Sequence, residues 1–370
     1  MGKGKKVDIG KLDKAMRPRK SAEAPLAWHS PKEPPFQVAG FAWFERDRVY
    51  RRLPLEPPET IPDAVDSLAN WTAGGQIRLR TDSAKCAVRV KLDDVADLNH
   101  MPATGQCGFD CYIGPAKRMR YVATTTYDHH HTHYETVLFE LAAREMRHVT
   151  LNFPLYMGVD EVLVGLEEDA EVKPPEAYAL DGRVAVYGTS ITQGGCASRP
   201  GMAWTNILSR RIDIEFINLG FSGNGRGEAE VARTIATLER SACFVLDYEG
   251  NCVSTDLLKQ TFPEFIRILR EAHPNVPIVG VSHVRSAREL WSEVALKHRL
   301  ERGAFQRETI EGLRAKGDKN VHFVDGSTFL GEDFDECAVD GVHPTDLGFL
   351  RIAEAMTPIL ERILKTGPAA

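Results

Sequence analysis

The sequence has no run approaching the roughly 20 consecutive apolar residues of a membrane-spanning helix, so no such helix is expected. It has no surplus of positive charge either. Lys and Arg number 46 against 52 Asp and Glu, a formal net charge of −6. Nucleic acid and anionic membrane are therefore not the expected partners. The first twenty residues are basic but are followed by no apolar h-region, so they do not read as a secretory signal. Lys6 stands where a myristoylation signal has Ser or Thr. Residues 1–25 are expected to be a solvated, disordered arm. Cysteine is sparse and odd in number: Cys86, Cys107, Cys111, Cys196, Cys243, Cys252 and Cys337. That pattern suggests reduced thiols and a cytoplasmic protein, and the lone C-x3-C pair at Cys107 and Cys111 lacks the partner pair of a zinc site. No internal repeat or low-complexity tract is present.

What is present falls into two rhythms. Across residues 26–168, short apolar runs alternate with turn residues, as in Gln76–Arg80, Ala87–Leu92, Gly108–Ile113, Thr136–Glu140, His148–Asn152 and Asp160–Val164. Their period-two alternation predicts an antiparallel, jelly-roll-like all-β sandwich. The acidic, proline-bearing stretch 169–181 reads as a linker. In 182–370, strand and helix then alternate. Strands are predicted at Arg183–Tyr187, Glu215–Leu219, Cys243–Asp247, Pro277–Ser282 and Val321–Asp325. Helical segments are predicted at Met202–Arg211, Gly227–Arg240, Asp256–Ala272, Ser286–Lys316 and Pro344–Leu364. This is the pattern of an α/β domain, a parallel five-stranded sheet flanked by helices in the flavodoxin-like manner. In such sheets ligands bind at the carboxyl ends of the strands, which directs attention to the loops there.

Ser190 lies in one of those loops, in Gly188-Thr-Ser-Ile-Thr192. This is not the Gly-x-Ser-x-Gly elbow, because Thr192 holds the last position. A serine hydroxyl needs a base to become nucleophilic, and Asp340-Gly-Val-His343 offers one with an orienting carboxylate three residues away. The same Asp-Gly can instead simply form a turn that caps the final helix. Acyl transfer also needs donors for an oxyanion. The Ser190 N–H, the glycine-rich loop Gly220-Phe-Ser-Gly223 and the Asn251 amide lie in loops after successive strands.

These blocks resemble the four signature blocks of the SGNH (GDSL-type) hydrolase superfamily. The resemblance implies Ser190 as nucleophile, His343 as base, Asp340 as its orienting acid, and Ser190, Gly223 and Asn251 as the oxyanion hole. Thr189 departs from the usual Asp, and Cys252 from the Asp that often follows the asparagine. Gly108-Phe-Asp-Cys-Tyr112 and Phe153–Glu161 are similar to an N-terminal Gly-x-Asp-Leu-Tyr-type β-domain found before some SGNH esterases, with Cys111 in place of the leucine.

The implied enzyme needs no cofactor and no metal. Its expected activity is hydrolysis of a short-acyl ester, acetyl among the candidates, of a carbohydrate or small polar metabolite. Transfer of the acyl group to an alcohol by the same triad is the alternative, and an inactive carbohydrate-binding protein a third reading. Thr189, Glu249, His283, Asp110 and Tyr112 are expected near the pocket, although a turn carboxylate and a buried tyrosine would explain Asp110 and Tyr112 equally well. Asp247 and Glu249 can also be read as a glycosidase-like carboxylate pair, and His283 as a reserve base. The run Asp128–His133 places His129, His131 and His133 on one face if extended, although an exposed polar hairpin is the plainer reading.

Overall fold

The computed structural model describes residues 9–13, 17 and 25–365. The expected arm at 1–25 lies mostly outside them, and Ile9–Leu12 forms one helical turn. Among the described residues, no helix is long and apolar enough to cross a membrane. All seven cysteines are unpaired and buried.

Ten strands build the N-terminal half. They are β1 (Leu26–His29), β2 (Gln37–Ala39), β3 (Gln76–Thr81), β4 (Lys85–Leu92), β5 (Asp110–Ile113), β6 (Arg120–Thr124), β7 (His133–Glu140), β8 (Arg147–Asn152), β9 (Val159–Glu167) and β10 (Val172–Lys173). One sheet runs β1-β9-β4-β7; the other runs β10-β3-β8-β5-β6, with β2 also on β3. Every described pairing in both is antiparallel. Alternate residues such as Val88 and Val90 of β4 and Val162 and Val164 of β9 meet Ile77, Leu79 and Leu151 in a shared core, as expected of a sandwich.

The C-terminal half has β11 (Arg183–Gly188), β12 (Glu215–Gly220), β13 (Ser241–Asp247), β14 (Ile278–Val281) and β15 (Val321–Val324) in the order β12-β11-β13-β14-β15, all parallel. Its strands are apolar on both faces because helices cover both. Val184 and Val186 of β11 join Trp204, Ile207, Phe349 and Met356 on one side. Ala185 and Tyr187 join Ile235, Phe262 and Phe265 on the other. The segment expected as one helix over Ser286–Lys316 is broken into a short turn, Ala287–Leu290, and a long helix, Glu293–Ala315.

Two boundaries differ from the sequence reading. The stretch read as linker contains β10, which pairs with Thr81 and Arg80 at the sandwich edge. Tyr178 is also fixed there, donating to Gln76 Oε1 at 3.1 Å and stacked under Arg78. Second, part of the N-terminal half is not sandwich at all. Leu53, Ile61, Val65 and Ala69 belong to the core of the α/β half, against Ile217, Leu219 and Phe221. This segment covers β12, the edge strand of the parallel sheet. Gly74 lies so close that a Cβ there would sit 2.6 Å from Asn218 Cβ. Arg52, fully buried, donates to the carbonyls of Gly220, Leu68 and Trp71 and stacks on Phe221.

Candidate active site

The turn after β11 is tight because Gly188 permits it: a Cβ there would lie 2.1 Å from Thr192 Oγ1 and 2.7 Å from Asp247 O. Thr189 is extended, and its Oγ1 accepts from Ile191 N at 3.2 Å, capping the single turn Ser190–Gln193. Gly194, at φ 106°, ends that turn, and the N–H groups of Gly194 and Gly195 both donate to Ser190 O. Thr192 Oγ1 donates to Asp247 Oδ2 at 2.7 Å, and Gln193 reaches the sandwich through Leu155 O at 3.1 Å. The serine is thereby fixed from both halves of the chain.

Before the last helix, Asp346–Lys365, the chain folds back through an isolated bridge between Ala338 and Pro344, with Gly341 at φ 84°. Asp340 Oδ1 accepts from Val342 N at 2.9 Å and His343 N at 2.8 Å. Its Oδ2 accepts from His343 Nδ1 at 2.7 Å, which fixes the tautomer and leaves Nε2 as acceptor. Ser190 Oγ donates to that Nε2 at 2.8 Å. Against the upward push of partial burial, the hydrogen bonds from His343 and Val342 hold the Asp340 carboxyl down at about 2, so it is ionised throughout the working range.

Three candidate oxyanion donors lie in loops after successive strands. Ser190 is the first residue of its helical turn, so its N–H has no intrahelical acceptor. Gly223 adopts φ 68°, and a Cβ placed on it would meet nothing within 4 Å, so this loop borders open space. Asn251 Nδ2 directs one hydrogen to Phe221 O at 3.1 Å, which orients the amide and leaves its second hydrogen available. Arg52 anchors the start of this loop through Gly220 O.

Of the other residues expected near the pocket, His283 lines the crevice behind the nucleophile turn with Ile191, Trp204 and Asp247. Thr189 is buried and caps the turn. Glu249 is buried, and burial pushes it up to about 8; Asp247 is pushed up to about 7 for the same reason. His283 packs on Gly250, whose notional Cβ would lie 2.7 Å from the ring, next to Asn251. Burial, then the charges of Arg302 and Arg299, bring His283 down to about 4. It makes no hydrogen bond to Ser190 among the described residues, where His343 occupies that role.

For Asp110 and Tyr112 the contacts are structural. Asp110 is fully buried and accepts from Asn152 Nδ2 at 2.7 Å, Arg199 Nη1 at 2.8 Å and Gly201 N at 2.7 Å, while Tyr112 OH meets Arg199 Nη1 at 2.6 Å. They clamp the loop that follows the nucleophile turn onto the sandwich. The histidine run does not extend either. The chain turns at Asp128–His131, with His131 N on Asp128 O, and strand resumes only at His133. Asp128, His129 and His130 are exposed.

Sequence reasoning missed three contributors. His100, from the loop after β4, sets its ring edge-on to His343 with centroids 5.9 Å apart. Gly195 lies beneath that imidazole, where a Cβ would be 3.4 Å from His343 Cδ2 and 2.6 Å from Tyr156 OH. Arg199 is the partner of the Asp110 motif. A lone histidine in Asn99-His100-Met101 carries no pattern to find it by.

Comparison with known proteins identifies the family of each half. A model of the GDSL-like lipase/acylhydrolase family matches residues 181–361, and a model of the N-terminus of Esterase_SGNH_hydro-type proteins matches 26–172. No curated protein matches the sequence. Among solved structures, a Bacteroides ovatus ATCC 8483 protein described as a GDSL-like lipase superposes with TM-score 0.85 at 30% identity, covering 92% of this chain and 98% of that one. The salicylyl-acyltransferase of a tetracycline biosynthetic pathway gives TM-score 0.75 at 23% identity, covering 91% and 97%. A family two carbohydrate esterase from Cellvibrio japonicus gives 0.59 at 14%, covering 92% and 98%. The last two share the fold. The chain belongs to the GDSL-like (SGNH) lipase/acylhydrolase family, and it is a serine ester hydrolase.

Proposed function

We propose that the enzyme cleaves short-acyl esters of a carbohydrate or small polar metabolite through an acyl-serine, with acetyl as the favoured acyl group. The carrying observation is the continuous relay from Asp340 through His343 to Ser190, at 2.7 and 2.8 Å. Ser190 Oγ attacks the ester carbonyl as His343 Nε2 takes its proton, and Asp340 stabilises the imidazolium. Ser190 N–H, Gly223 N–H and the free Asn251 amide hydrogen receive the oxyanion. His343 returns the proton to the departing alcohol, then activates water to release the acid.

A short acyl group is favoured by the close packing under the nucleophile turn, where Ile191, Trp204, Asp247, His283, Phe329 and Met356 leave room for little more than one water. A polar alcohol is favoured by the likeness to carbohydrate esterases. Resolution of the acyl-serine by an alcohol is the second reading, favoured by the likeness to the salicylyl-acyltransferase.

A panel of esters graded in acyl length, with and without alcohol acceptors, tests both. Acetyl esters are expected to give the highest kcat/KM, and Ser190→Ala and His343→Ala to lose about 10³-fold or more in kcat. Full activity in either variant refutes the mechanism, and a preference for long acyl chains refutes the substrate class. Ester product exceeding free acid in the presence of acceptor would establish the transferase reading.

A further inference from the structure

Cys196 is a cysteine beside the base that the mechanism does not use. It sits at φ 74°, a left-handed conformation that non-glycine residues seldom adopt. Burial, then the negative charge of Asp340, pushes its thiol up to about 12, so it is not a reactive nucleophile. A ligand nitrogen of His100, Cys196 Sγ and a ligand nitrogen of His343 nevertheless lie within 4.8 Å of one another. Two imidazoles and a thiol are a donor set for a soft divalent cation.

We propose that Zn2+ binds across the domain junction at His100, Cys196 and His343 and switches the hydrolase off. His343 Nδ1 is hydrogen-bonded to Asp340, so Nε2 is the nitrogen left to take the metal, in place of the Ser190 Oγ–H that it accepts now. The Asp340–His343 pair already has the carboxylate–imidazole arrangement that orients and strengthens metal-binding histidines. Cys196 is held in place by the turn beneath His343, whereas His100 is exposed and free to close in. With metal–ligand distances of about 2.0–2.3 Å, tetrahedral zinc needs ligands roughly 3.3–3.8 Å apart. Each pair of these atoms must therefore draw in by up to about 1–1.5 Å, the exposed His100 by rotation and Cys196 and His343 by adjustment of their turns.

On binding, the Cys196 thiol gives its proton to solvent as the Zn–S bond forms, and the two imidazoles bind neutral. Ser190 Oγ–H then has no base, and the fourth zinc position falls to water or to Ser190 Oγ. The exposed Asp128–His130 cluster has no such orienting shell and is the control.

The test uses ZnCl2 as inhibitor of ester hydrolysis and CoCl2 as spectroscopic probe, on full-length protein. Zinc is expected to inhibit the wild type reversibly, with EDTA restoring activity. In His100→Ala the half-inhibitory zinc concentration, read against that variant's own zinc-free activity, is expected to rise by at least about tenfold. Cys196→Ser is expected to do likewise, and a His129→Ala/His130→Ala double variant to behave as wild type. Cobalt should give a thiolate-to-metal absorbance that Cys196→Ser and His100→Ala abolish or weaken. Absence of zinc inhibition, or equal inhibition in His100→Ala, overturns the proposal. The switching half rests on His343 being the base, whereas the cobalt band, measured on Ser190→Ala as well, reads binding without activity. A failed mechanism with an intact band is thus distinguishable from a failed site.

Discussion

Removing the Asp110 carboxylate should cost the protein more stability than almost any other single polar change, and the amount follows from its partners. Asp110→Ala strips the acceptor from three donors at once: Asn152 Nδ2, Gly201 N and Arg199 Nη1. Asn152 cannot turn away alone, because its Oδ1 holds Gln76 Nε2 at 2.9 Å and Gln76 Oε1 in turn holds Tyr178 OH. Each stranded buried donor costs about 1–3 kcal/mol, and Arg199 loses its counter-charge in a largely buried setting. Removing one partner of such a pair typically costs about 3–5 kcal/mol, and that is the expected loss. Asp110→Asn restores an oxygen for Arg199 and Gly201 without the charge, and should lose about half as much. Equilibrium urea unfolding followed by circular dichroism measures both, and a double-mutant cycle with Arg199→Met should show coupling of at least about 1.5 kcal/mol. A loss below about 1 kcal/mol for Asp110→Ala, or additivity with Arg199→Met within about 0.5 kcal/mol, would refute the view that this carboxylate clamps the two halves.

Other consequences are open to measurement. Asn251→Ala should lower kcat by about 10²–10³-fold with little change in KM, read by steady-state kinetics; an unchanged kcat would remove the amide from the oxyanion hole. Gly195→Ala forces a methyl against the buried Tyr156 OH and the His343 ring, so kcat should fall by about tenfold or more and overpacking should lower the Tm as well; an unchanged kcat would refute the contact. Glu249 is held protonated by burial, with its folded value near 8 against about 4.5 when unfolded. The unfolded chain therefore sheds that proton first, and stability tied to this group is full below about pH 4.5 and lost as pH rises through about 8. Over that window it amounts to about 3–5 kcal/mol, and Glu249→Gln should flatten the fall in a pH series of urea midpoints.

The elements legible in the sequence are those whose logic is local. Val184, Ala185, Val186 and Tyr187 announce a strand with two apolar faces, and the structure gives each face its own core. Asp340 and His343 are three residues apart on one loop, so their pairing needs no knowledge of the rest of the chain. What stayed hidden depends on distant partners. Asp110 is recognisable as part of a motif, but its cation, Arg199, lies 89 positions away. The stretch around Leu53–Ala69 has no strand alternation because it does not serve the sandwich; it packs on helices and strands of the other half. Short strands such as β2 and β10, of three and two residues, lack the length to show a period. Arg52 would be read as a surface charge by any composition rule, yet it is among the most deeply buried side chains.

The covering of β12 bears on how such a protein can be divided or inherited. An uncovered edge strand offers its free carbonyl and amide groups to any neighbouring chain, and β12 here is shielded by Arg52 and Gly74 of the N-terminal half. Cutting at the stretch after β10 would leave the α/β half with a bare apolar strand and a carbonyl that had been hydrogen-bonded to Arg52. Such a fragment would be prone to stack edge to edge into aggregates. The N-terminal half thus guards an edge of its partner, and a truncated α/β half would need new residues to cover it.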